Sequence, residues 1–140
     1  MKVLIMGLPG AGKSTLAKPL CSEFGDDAVW INADEVRGHY DDWDFSDEGR
    51  QRQAARMKYL SDGVVRAGKI AITDFVCPTP KTREEFDPDF IVWMDTISMG
   101  RFEDTNKIFV VPEYYDYAIT DWDWTEDTLS DLVGKIRERA

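Results

Sequence analysis

Residues 7–14 read G-L-P-G-A-G-K-S, which fits the spacing G-x-x-x-x-G-K-S. Residue types in that order form a device for holding phosphate. Gly7, Gly10 and Gly12 let the backbone curl so that successive N–H groups point into one concavity, with Leu8, Pro9 and Ala11 between them. Lys13 supplies a point charge for β- and γ-phosphates, and the Ser14 hydroxyl is a ligand for Mg²⁺. Thr15 follows as the next polar group of the same turn. The flanks suit the motif: the apolar run V-L-I-M at 3–6 reads as a buried strand, and S-T-L-A at 14–17 opens a helix whose positive dipole end backs the anion. A glycine-rich turn without a ligand is the plain alternative. The context favours a site for a nucleoside triphosphate with Mg²⁺.

Further candidates stand at strand ends. N-A-D-E-V-R at 32–37 follows the second apolar run. In an open α/β sheet, a side chain just past such a strand opens into the ligand crevice. There Asp34 could accept the proton of an attacking hydroxyl or orient the metal, and Arg37 could bind an anionic acceptor. The bland reading makes Asp34 a helix cap and Arg37 a solvated charge. The third apolar run ends I-A-I-T-D at 70–74, so Asp74 has the position of a Walker B carboxylate sharing the metal with Ser14. The segment D-D-W-D-F-S at 41–46 runs into a stretch carrying Arg50, Arg52 and Arg56. Those arginines are either an exposed charged face or an anion clamp, and Trp43 and Phe45 either core residues or platforms for a planar base. Cys77 has no neighbour in sequence that would lower its pKa, which points to a structural role.

These groups need a scaffold. Strand-like runs at 2–7, 28–32, 69–75, 89–94 and, more weakly, 117–120 alternate with helical stretches at 13–23, 34–40, 47–67 and 126–139. Short apolar strands separated by helices imply a three-layer α/β fold, a parallel sheet with helices on both faces, of the P-loop NTPase and kinase type. A chain of 140 residues is expected to make one such domain. Residues 96–116 read as a loop with one short strand at 107–111, a small lid at most. Lys+Arg 17 against Asp+Glu 27 gives a net charge of −10, which argues against nucleic acid as the main partner. No apolar run reaches membrane-spanning length, and Met1 and Lys2 lead straight into a strand. A cytoplasmic protein acting on small molecules is expected, with a homodimer as an open option.

Taken together, these segments resemble the adenylyl-sulfate kinase family of P-loop kinases. That family joins a G-L-x-G-x-G-K-S-T loop to D-G-D-x-x-R, D-L-G-F-S, an arginine-rich helix and F-I-S-P. This chain offers positions 7–15, 32–37, 42–46, 50–56 and 75–78 in the same order. The resemblance implies transfer of the γ-phosphate of ATP to the 3′-hydroxyl of adenylyl sulfate. It puts Asp34 on the catalytic aspartate, Arg37, Phe45 and Arg50 on acceptor positions, and Arg56 on the surviving arginine of an N-x-R-R pattern. Departures are clear: Asn32 and Ala33 replace Asp and Gly, Cys77 replaces the serine of F-I-S-P, and the family's R-D-x-K-G-L-Y lid segment has no match. Arg101 and Lys107 are the candidates to replace its arginine. A kinase for another hydroxyl (a nucleoside, nucleotide, metabolite or polynucleotide 5′-end) and a nucleotide-binding module of low turnover are the alternatives.

Overall fold

The computed structural model describes residues 1–100 and 102–140, so Arg101 lies outside the described residues. Five strands form one sheet: β1 (Lys2–Met6), β2 (Ala28–Asn32), β3 (Ile70–Asp74), β4 (Phe90–Met94) and β5 (Tyr117–Ile119). Their order is β2-β3-β1-β4-β5, and every pairing is parallel. Helices α1 (Lys13–Phe24), α2 (Ala33–Tyr40), α3 (Asp47–Arg66), α4 (Pro80–Phe86), α5 (Glu103–Ile108) and α6 (Glu126–Arg139) make the connections and the outer layers.

Two-residue alternation along the central strand explains the layering. Val3 and Ile5 face one side, where α1 brings Leu16, Leu20 and Phe24 and α6 brings Leu129, Leu132 and Ile136. Leu4 and Met6 face the other, against Ala54 and Met57 of α3 and Phe86 of α4. Side chains from 3 to 6 are fully buried, each burial contributing about 1.5–3 kcal/mol. At the base of β1, the Lys2 ammonium is also buried. It donates to the Phe86 carbonyl at 3.0 Å and meets Asp62 at 2.9 Å, tying β1 to both helices of that face.

Two helices depart from the sequence expectation. Residues 80–86 form α4, started by Pro80 in its first turn and by a reciprocal Thr79–Thr82 capping box. Residues 103–108 form α5, where a short strand at 107–111 was expected; the strand is absent. Acids Glu103 and Asp104 occupy its first turn, and Asn106 clasps Gly100 by accepting from its N–H at 2.7 Å and donating to its carbonyl at 3.1 Å. Gly68, just beyond the end of α3, has φ +81.

Gly49 lets α3 begin where it does. A β-carbon there would stand 2.1 Å from the Asp44 carbonyl oxygen, so Gly49→Ala is expected to lower stability by about 1–3 kcal/mol in denaturant unfolding. An unchanged midpoint would contradict the packing of 44–46 on α3. Cys77 is buried with no exposed surface, and burial pushes its thiol up to about 12. Ellman's reagent at pH 8 is therefore expected to leave Cys77 unmodified in the folded protein and to reach it on unfolding. Fast labelling of the native chain at Cys77 would show the core to be open.

Candidate functional site

The carboxyl ends of all five parallel strands lie at one edge of the sheet, and the phosphate-loop motif leaves the central one. Gly7 has φ +157, and a β-carbon on it would stand 2.9 Å from the Met94 carbonyl oxygen; only glycine fits this exit. Beyond it the loop turns tightly, Ala11 N–H donating to the Leu8 carbonyl at 3.0 Å. Leu8 and Ala11 are buried beneath the loop, and Thr96 Oγ1 pins it from the end of β4 through the Ala11 carbonyl at 2.7 Å. Gly12, at φ +94, begins α1 with no side-chain hydrogen bond from the cap position. Lys13 Nζ lies back along the loop and donates to the Leu8 carbonyl at 3.0 Å.

A cavity of about 1110 Å³ opens over this loop. Pro9, Gly10, Gly12, Lys13, Ser14 and Thr15 form its floor; Asp34, Arg37, Trp43, Phe45, Arg50 and Asp74 line its walls. Pro9 and Asp74, 65 positions apart in sequence, thus meet in one space.

On the sheet side, Asp74 ends β3 opposite Asn32 of β2. Its carboxylate is 3% exposed and accepts from Trp30 Nε1 and from Asn32 Nδ2 at 3.0 and 3.2 Å. Burial raises its pKa, while those two donors and the nearby Lys13 charge pull the other way. Asn32 Nδ2 also stands 3.4 Å from Ser14 Oγ, which brings the hydroxyl and the carboxylate to the same corner. This donor set suits Mg²⁺, which takes one or two protein oxygens and completes its shell with phosphate and water. Among the described residues, no group of three His, Cys, Asp or Glu forms a closed metal cage.

On the opposite side, Asn32 and not Asp34 caps α2, accepting from Glu35 N–H at 3.0 Å. Asp34 lies exposed in the first turn, on the cavity wall. Arg37, one turn further, is buried rather than solvated: its Nη1 donates to the carbonyls of Asp42 and Asp44 at 2.9 and 3.2 Å. That burial, only partly offset by Asp42, lowers its pKa. The Arg37 guanidinium lies 4.3 Å over the Phe45 ring, and Arg50 approaches that ring at 5.5 Å. Arg50 also donates to the Phe45 carbonyl at 2.8 Å and, through Nη2, to Thr105 Oγ1 at 3.2 Å, tying α3 to α5. Trp43 is half exposed beside them.

Two expected participants stand elsewhere. Arg56 does not line the cavity: Asp42 takes its Nη2 at 2.6 Å and Tyr40 covers its guanidinium at 4.6 Å. Asp42 also holds Arg52 Nε at 2.7 Å, and the two arginines keep its carboxyl well below the usual range. Lys107 points to solvent, 3.5 Å from Glu103. Conversely, sequence reasoning missed Trp30, which meets Asp74 from the neighbouring strand, and Gln53, which lines the cavity and donates to the Ala33 carbonyl at 3.0 Å. It also missed Met99, Phe102 and Trp122, which rim the mouth and are more than half exposed. The two donors on β2 had a legible signal, being polar-tipped residues at i and i+2.

The sequence model described as adenylylsulphate kinase matches residues 1–91. The adenylyl-sulfate kinase of Bacillus velezensis is 32% identical over 110 residues, covering 76% of this chain and 51% of that protein. The chain spans about half the length of the curated relatives it matches. The Mycobacterium tuberculosis APS kinase, solved with AMPPNP and APS, superposes with a TM-score of 0.80 at 18% identity, over 97% of this chain and 96% of that one. A sugar kinase from Janibacter superposes at 0.76 with 17% identity, over 97% and 94%. With its phosphate loop, strand-end aspartate and arginine-bearing third helix in matching order, the chain belongs to the adenylyl-sulfate kinase family.

Proposed function

We propose that the protein transfers the γ-phosphate of ATP to the 3′-hydroxyl of adenylyl sulfate. The observation that carries this reading is the meeting, in one cavity, of the Lys13–Ser14 loop with Asp34 and the Arg37–Phe45–Arg50 stack. Loop amides and the α1 amino terminus receive the phosphate oxygens, and Lys13 exchanges the Leu8 carbonyl for the β- and γ-phosphates. Ser14 and Asp74 would hold Mg²⁺, which when bound offsets phosphate charge. Asp34 takes the proton from the acceptor hydroxyl as that oxygen bonds to phosphorus and the bond to ADP breaks. Phe45 and Trp43 offer faces for a planar base, and Arg37 and Arg50 offer cationic edges for its anionic group. Positioning and neutralisation of spread charge supply most of the rate.

A second acceptor class is favoured by one observation: Asp42 and Asp44 consume Arg52 and Arg56, leaving fewer guanidinium groups for an anionic acceptor. A less charged alcohol, nucleoside or sugar-like, fits such a wall. We place the enzyme in the cytoplasm and in sulfate activation. No helix among the described residues is long and apolar enough to cross a membrane. Light scattering at twice the chain mass supports the homodimer; the single-chain mass removes it.

ADP release measured with Mg²⁺, ATP and a panel of alcohols tests the acceptor. Turnover dependent on adenylyl sulfate supports the main reading, and turnover with another alcohol alone replaces it. Asp34→Asn is expected to lower turnover by on the order of a hundredfold or more while leaving ATP affinity within about twofold. Unchanged turnover removes Asp34 from the chemistry.

A further inference from the structure

Asn32 makes three kinds of contact at once. Its Oδ1 accepts from Glu35 N–H at 3.0 Å, capping the helix that carries Asp34 and Arg37. Its Nδ2 donates to both oxygens of Asp74, at 3.0 and 3.2 Å, and stands 3.4 Å from Ser14 Oγ. The amide orientation is forced. Reversed, it would set an NH₂ group against the Glu35 N–H and an oxygen against the Asp74 carboxylate. Trp30, two residues earlier on the same face of β2, adds its indole N–H to Asp74. An aspartate at 32 would cap α2 equally well, but it would meet Asp74 with like charge. Only an amide serves both neighbours.

We propose that Asn32 is a positioning residue, seconded by Trp30. It fixes the Asp74 carboxylate beside the Ser14 hydroxyl and links that pair to the helix bearing Asp34. The proposal rests on the ATP-and-Mg²⁺ reading of the site and adds a specific claim about this chain. The two halves of the cavity are joined by one side chain, so a change there moves the metal corner while the helix stays capped. Asn32 itself does not line the cavity. Its effect passes through the orientation of Asp74, as expected of groups that hydrogen-bond a metal-ligating carboxylate.

The test uses the full chain with ADP and Mg²⁺ as probes. Asn32→Ser keeps a capping oxygen and loses the reaching amide. Its melting curve is expected to stay close to that of the unaltered protein. Mg²⁺ is expected to bind its ADP complex about tenfold more weakly by calorimetry, with ADP affinity in the absence of metal within about twofold. The Trp30 indole N–H resonance, assigned by its loss in Trp30→Phe, is expected to move in substrate-free protein, since Asp74 then has one donor fewer. Asn32→Asp, which keeps the cap and replaces the donor by a charge, is expected to move the same resonance and carries the comparison if the serine variant melts early. An unmoved indole resonance and an unchanged Mg²⁺ midpoint in either folded variant overturn the proposal. Failure of the unaltered protein to bind ADP with Mg²⁺ overturns the underlying reading, and the proposal with it.

Discussion

The chain leaves the centre of its sheet at Gly7, with the backbone pressed so close to the Met94 carbonyl that no β-carbon can stand between them. Everything in the site is arranged around that exit. Because β1 is flanked by β3 and β4 in a wholly parallel sheet, the neighbouring carboxyl ends open beside the same loop. Asp74 arrives from β3 and Thr96 from the segment after β4 without long excursions. The burial of residues 3–6 on both faces makes the exit rigid, and a rigid exit is what allows backbone amides to be aimed in advance at a polyanion.

Around this centre the polar groups divide into those that build and those that face the cavity. A chain with a net charge of −10 has acids to spare, and Asp42 spends its own on Arg52 and Arg56. The Arg52 end of its pair is exposed, so that contact contributes little to stability. Its consequence is geometric: residues 41–46 are held as a folded loop against α3. Arg37 completes that loop from within through two backbone carbonyls and then lies on Phe45. The acceptor wall is therefore shaped by one buried guanidinium, Arg37, and one partly exposed, Arg50, both held in place by backbone carbonyls.

The scaffold was largely legible in the residues. Apolar runs fell within a residue or so of the observed strands, most plainly at β1, which is buried on both faces and unbroken by polar residues from 3 to 6. The phosphate loop was legible because its glycines meet backbone constraints that no other residue meets. Less visible were α4 and α5. Both are short, and their evidence is local capping at Thr79 and Thr82 and the Asn106 clasp on Gly100, which hydrophobic periodicity does not register. Whether an arginine serves ligand or fold was illegible at Arg56, since its partner Asp42 sits 14 positions away across a loop. Trp30 stood in the sequence only as one residue of the run at 28–32, and its role depends on which strand lies next to it.

Calorimetric titration of the purified protein with AMPPNP and Mg²⁺ addresses the central claim most directly, which is that the loop at 7–14 cradles a triphosphate. The account predicts saturable 1:1 binding that Lys13→Ala greatly weakens. Absence of any heat of association at millimolar nucleotide, or binding indifferent to Lys13, would contradict it.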